Sequence, residues 1–210
     1  KVNATYCYNC TASGNSYGFY TTSSWGSVVL TNCLAVGNTL SDYFYDPNPW
    51  GASSDYNMSG TANTGDLRQA PGIYLNDGTI ASVISDTQVS LNSVDGISVG
   101  DWFNNKTKTK SSKIASIDVN NKILTLQEAI TGQAAGNSYT VKHSAWYRSA
   151  TNNFVSTSNL HLKPGADAIN AGTSLSGTFT DDIDVEPRNG PWDIGADEYH
   201  RAIYYSVGTD

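Results

Sequence analysis

The sequence predicts an all-β fold organised around a stack of short parallel strands, and three observations predict it. Charged residues make up only 15% of the chain while aromatics reach 11%, and Ser, Thr, Asn and Gly are abundant. That balance suits short strands and polar turns and argues against long helices, which want Ala, Leu, Glu, Lys and Arg. Second, Asn9-Cys10-Thr11-Ala12-Ser13-Gly14-Asn15 recurs 23 residues later as Asn32-Cys33-Leu34-Ala35-Val36-Gly37-Asn38. Third, residues from about Leu67 to His143 alternate apolar and polar side chains between Gly- and Asn-rich turns, with no continuation of that repeat.

The chain of 210 residues is long enough to bury a substantial core. Thirteen Tyr and five Trp argue against disorder. The net charge of −7 would repel a phosphate backbone, so no nucleic-acid partner is expected. No apolar run approaches the ~18 residues of a membrane span, and no charged-then-apolar leader opens the chain. Because Lys1 already stands in strand-like sequence, a leader and further sequence are expected to have been removed or to lie outside it.

Each copy of the repeat follows a short strand, Ala4 to Tyr8 and Val28 to Thr31, and precedes an aromatic segment around Tyr20 or Tyr43. A unit of this length with Gly/Asn corners is what one coil of a β-solenoid requires. Equivalent residues of successive coils would stack about 4.8 Å apart, placing Asn9 by Asn32 in an amide ladder and Cys10 by Cys33. A Cys10–Cys33 disulfide fits that spacing, and so do buried free thiols packing as small apolar groups. Cys7 and Cys10 have C-x2-C spacing, but a zinc ribbon needs a second such pair and none exists. Ser54-Asp55-Tyr56-Asn57-Met58 reads as a third, degenerate coil, after a loop whose Pro47 and Pro49 exclude it from a central strand.

In the middle of the chain, strands are expected at Thr79 to Ser85, Gln88 to Leu91, Lys113 to Val119, Ile123 to Leu126 and Ser138 to Lys142. They read as a small antiparallel barrel or sandwich, residues 68–143, inserted between coils at 1–67 and 144–199; residues 200–210 read as a linking or edge strand.

The tail carries Leu162-Lys163-Pro164-Gly165-Ala166-Asp167-Ala168-Ile169-Asn170-Ala171-Gly172, then Asp182-Ile183-Asp184-Val185-Glu186-Pro187-Arg188, then Asp193-Ile194-Gly195-Ala196-Asp197-Glu198. These segments resemble the C-terminal end of bacterial secreted proteins of the pectate-lyase-like superfamily. The resemblance implies right-handed parallel β-helix coils with a C-terminal closing segment, interrupted by the small antiparallel insert, and an extracellular or cell-surface location. It is nearly silent on activity, since that superfamily includes lyases, hydrolases, adhesins and passive surface proteins. Ala166, Asn170 and Val185 stand where that pattern usually has Ser, Asp and Gly.

Among candidate sites, the acidic tail comes first. Asp182, Asp184 and Asp193 could supply hard oxygen ligands to Ca²⁺. Alternatively Asp184 or Asp193 pairs with Arg188 and the other carboxylates accept backbone amides in turns. Asn9, Asn32, Cys10, Cys33 and Arg188 are read as structural. Lys106, Lys108, Lys110 and Lys113 form a basic run in which the first three alternate as if on one strand face, where they could meet an anionic polysaccharide or protect a solvated hairpin from aggregation. Tyr17, Tyr20, Trp25, Tyr43, Tyr45 and Trp50 could stack on sugar rings. No nucleophile has a local signature, and His143, His161 and His200 read as isolated. The expectation is a structural or interaction protein that self-associates or joins further parts of a longer chain through β edges. The alternative is a lyase, or the carbohydrate-binding portion of an enzyme, acting on an acidic polysaccharide.

Overall fold

The computed structural model describes residues 5–22, 28–46, 50–60, 70–148 and 153–200. The class is all-β, and among the described residues no helix is long and apolar enough to cross a membrane.

The repeat folds as parallel pairs. Strands β1 (Thr5–Tyr8), β2 (Thr11–Ala12) and β3 (Tyr17–Thr22) pair with β4 (Val28–Thr31), β5 (Leu34–Ala35) and β6 (Ser41–Asp46), and β5 pairs in turn with β7 (Met58–Ser59). Thr5 stands opposite Val28 and Thr11 opposite Leu34, while Leu34 stands opposite Met58. Between the first two strands of each level the chain turns through a left-handed residue, Asn9 at φ 49°, Asn32 at φ 54° and Tyr56 at φ 54°. Asn tolerates that region better than other non-glycine residues, which suits the first two corners, while the third holds it with Tyr56.

Side chains then alternate across the middle sheet. Cys33 and Ala35 face inward with Leu30, Tyr43 and Trp146, while Leu34 and Val36 face a second core with Met58, Phe154, Leu162 and Ile194. The second core lies where residues 153–200 pack over the outer face of β2, β5 and β7. Gly195, at φ 114°, makes that approach: a Cβ there would lie 2.8 Å from Thr11 Oγ1.

The parallel pairing stops early. It spans two strands in two sheets and three in the third, with two further parallel bridges, Thr31 to Asp55 and Met58 to Ala145. Among the described residues no solenoid forms. The tail makes turns and two isolated antiparallel bridges, Phe154 to Leu162 and Asp181 to Pro187, instead of adding coils.

The remaining strands form one antiparallel sheet: β8 (Tyr74–Thr79), β9 (Ser82–Ser85), β10 (Gln88–Ser90), β11 (Trp102–Asn105), β12 (Lys110–Asp118), β13 (Ile123–Leu126) and β14 (Ser138–Lys142). Their order is β8-β14-β11-β12-β13-β10-β9. A bulge between Ile114 and Ser116 lets β12 serve β11 along its first half and β13 along its second. Ile80, Val89, Phe103, Ile114, Leu124, Ile130 and Val141 fill its core. The stretch expected as one strand from Thr79 to Ser85 is broken at Ile80 and Ala81. The linking strand expected beyond His200 lies outside the described residues.

Candidate functional site

His143 follows β14 at the point where the chain leaves the antiparallel sheet and returns to the parallel stack. Its ring lies on Tyr56, centroids 4.6 Å apart and 7° from parallel. Nδ1 is 2.6 Å from Asp55 Oδ2, and Nε2 is 3.7 Å from Asp101 Oδ1. The hydrogen bond to Asp55 raises the imidazole pKa against the opposing effect of burial, aided by the charges of Asp55 and Asp101. Burial pushes the Asp101 carboxyl up, although the Ser98 amide donates to it at 2.7 Å.

Tyr56, Asp101 and His143 line a cleft of roughly 510 Å³ together with Lys113, Gln127 and Asn170. Lys113 lies 5.3 Å from the Trp102 ring centre, and its pKa is held down chiefly by burial. The cleft therefore offers donors and acceptors of both signs beside an aromatic stack, the equipment for holding a polyhydroxylated ligand. Asp55 and His143 are 88 residues apart, so no local motif announces the pair.

The structure does not gather Asp182, Asp184 and Asp193 into one ligand set. Asp182 Oδ1 accepts from the Asp184 and Glu186 amides, each at 2.9 Å, and Oδ2 from the Glu198 amide at 3.1 Å. Burial opposes its charge, but the Glu186, Glu198 and Asp184 amides win and hold the carboxyl below its usual value. Asp193 accepts from Asn170 N at 2.6 Å and Tyr199 N at 2.7 Å. Only Asp184 meets another ligating side chain, His161 at 3.3 Å, whose Nδ1 also lies 3.0 Å from Asp197.

Arg188 pairs with neither Asp184 nor Asp193. Its Nη1 donates to Glu198 Oε2 at 2.9 Å and its Nη2 to the Gly195 and Ala196 carbonyls, with the guanidinium almost wholly buried. Asn9 lies against both Arg188 and Asn32. Turned so that its amide oxygen faces the guanidinium, it accepts from Nη1 at 2.8 Å, the stronger partner because it is charged. Asn32 Nδ2 lies 3.0 Å from the Asn9 side-chain amide, the contact the ladder requires, and the same Asn32 side chain donates to Thr173 O at 2.7 Å and accepts from Thr173 N at 2.9 Å, so it also holds the tail.

Cys10 and Cys33 are brought together, and Cys7 joins them; all three are free thiols. Cys33, and then Cys7, direct S–H groups at Cys10 and pull its pKa down. Cys7, hydrogen-bonded to Cys10, is pushed up, and burial pushes Cys33 up.

A second buried cation, Arg148, has no local signature. It donates bidentately to Asp167, with Nε at 2.8 Å from Oδ2, and to Glu128 at 2.9 and 3.0 Å, and reaches Ser111 O at 2.9 Å.

The histidines read as isolated are each paired, His200 with Glu186 at 3.3 Å; their partners lie far along the chain or across a turn. The lysine run occupies a turn rather than one strand face: Lys106 and Lys108 fall between β11 and β12, and Lys110 opens β12. Of the aromatic candidates, Tyr43 is buried with its hydroxyl donating to Cys33 O at 2.6 Å, whereas Tyr17 and Tyr20 are exposed. Trp25 lies outside the described residues. The sequence has four N-x-S/T sequons, at Asn3, Asn9, Asn57 and Asn105; Asn9, Asn57 and Asn105 are buried, and Asn3 lies outside the described residues.

Compared with protein-family models, curated proteins and solved structures, the chain matches none. The resemblance to the pectate-lyase-like superfamily is thereby corrected. No family model carries it, and short parallel pairs beside a seven-stranded antiparallel sheet replace the expected solenoid. The tail segments that suggested it are turns, tied down by Asp182, Arg188 and Asp193.

Proposed function

We propose that this chain is a structural or interaction module of the cell exterior that joins other β structure through the edges of its parallel sheets. The observation that carries the proposal is the placement of β1, β2 and β3. Among the described residues each is the terminal strand of its sheet, and all three lie at one level. Unpaired backbone groups on a strand edge are a template for further strands. Tyr6, 57% exposed, and Tyr20, 54% exposed, add apolar surface beside those edges. The partner is a set of parallel strands from a second copy or from further parts of a longer chain. In this reading the pairs, offset by 23 or 24 residues, are successive turns of a short coil with the seven-stranded sheet set into it.

Light scattering across a concentration series tests the proposal. Growth of the particle with concentration is expected, reduced by Tyr6→Lys with Tyr20→Lys, because lysines on an edge oppose pairing. A strictly monomeric species that also captures no strand from neighbouring sequence would sink it.

The cleft at His143 favours a second reading, a binding site for an acidic saccharide. Lys113 and a protonated His143 could meet a carboxylate, and Tyr56 lies beside them. Calorimetric titration with uronate oligomers separates the two readings: saturable heat abolished by Lys113→Ala supports the saccharide site, and no heat removes it.

A further inference from the structure

The three sulfur atoms of Cys7, Cys10 and Cys33 all lie within 4.8 Å of one another, and Cys7 Sγ is 3.9 Å from Cys33 Sγ. They come from two levels of the parallel stack. Cys10 and Cys33 hold equivalent positions of the repeat, and Cys7 reaches the same interior from β1. The next level has Asn57 in this position, where its amide caps Cys33 N at 2.8 Å, so the sulfur set is closed on that side. Cys33 is fully buried, whereas Cys7 and Cys10 are half-buried, so one side of the trio faces solvent.

We propose that these three cysteines form a binding site for a thiophilic d¹⁰ metal ion, held by three thiolates with solvent completing the coordination. A donor set made only of sulfur selects soft or borderline ions and rejects Ca²⁺ and Mg²⁺. Three sulfurs bound to zinc at about 2.3 Å with tetrahedral angles lie roughly 3.8 Å apart, close to the Cys7–Cys33 separation. Zn²⁺ would take a water on the half-open side, while Cu(I) would accept the three thiolates alone. Binding displaces the thiol protons to solvent and leaves no change in oxidation state. The third ligand arrives one repeat after the C-x2-C pair, which is why spacing alone concealed it.

The test uses the full chain, reduced and kept free of oxygen. Co²⁺, as a spectroscopic stand-in for Zn²⁺, is expected to bind one-to-one with thiolate charge-transfer absorption and to be displaced by Zn²⁺. A second arm measures Cu(I) binding in competition with a chromogenic chelator. Cys10→Ala, at a half-buried position and verified as folded by circular dichroism, should weaken binding about a hundredfold or more, since even an outer-shell loss costs about 10–100-fold. His161→Ala, at the only other candidate cluster among the described residues, should leave it unchanged. Failure of both ions to bind the reduced chain, or binding by Cys10→Ala equal to that of the parent, overturns the proposal.

Discussion

A carboxylate 2.6 Å from the His143 imidazole favours its protonated form. The folded pKa is raised, so the stabilisation is fully present below the ordinary histidine value of about 6.5 and is lost as pH rises through the folded value. Asp55 and Asp101 are the carboxylates facing the ring, so unfolding free energy should fall from mildly acidic to alkaline pH, and Asp55→Asn should flatten that slope. Urea unfolding on either side of neutrality, with an NMR titration of the ring, checks it; a midpoint at or below the ordinary value contradicts it. At this scale the sequence was partly legible. The repeat identified Asn9, Asn32, Cys10 and Cys33 as equivalent positions, but the roles of Asp55, His143 and Arg148 depend on partners tens of residues away and left no local pattern.

Strands were legible where one face is buried and the other wet. Ile123–Leu126, with burial alternating along it, stands where the alternation placed it. Trp102–Asn105 escaped notice because all four residues are buried, leaving no period to read. Tyr74–Thr79 escaped because Asn-Asp-Gly resembles a turn; pairing with β14 overrides that preference, and Gly78 sits against the Tyr139 ring.

In the tail, Val185 holds a left-handed φ of 66° while 77% exposed, so it carries strain without packing in return. Left-handed backbone costs a β-branched residue about 1–2 kcal/mol, and glycine forfeits about 0.4–1 kcal/mol through its freer unfolded chain. Relief exceeds loss, so Val185→Gly should stabilise by about 0.5–1 kcal/mol in urea unfolding. Destabilisation would show that the turn is held otherwise than described.

For the molecule as a whole, Arg148 ties together what composition suggested were separate parts. Its guanidinium spans Glu128 and Ser111 of the antiparallel region and Asp167 of the tail, and its Cζ lies 5.2 Å from the Trp102 ring centre. Removing one member of a buried ion pair costs about 3–5 kcal/mol, because the partners are left charged and unpaired. Arg148→Met should therefore lower stability by about 3 kcal/mol or more and split unfolding into two transitions, measured by calorimetry. A single transition at the parent temperature contradicts that role. The insert's existence was readable from the change in period, but its tether was not, since a lone arginine in sequence names no partner.

All of this depends on successive repeats lying side by side in parallel register. Tyr20 and Phe44 are register partners with rings 5.3 Å apart, whereas Tyr43 belongs to the opposite face, stacked with Phe19. Paired Cα positions in adjacent strands fall within disulfide reach. The most direct measurement is mass-spectrometric mapping of disulfides in two double variants under mild oxidation. Tyr20→Cys with Phe44→Cys should cross-link to completion within the monomer, and Tyr20→Cys with Tyr43→Cys should not. Equal cross-linking of the two, or none at 20 and 44, would contradict the register.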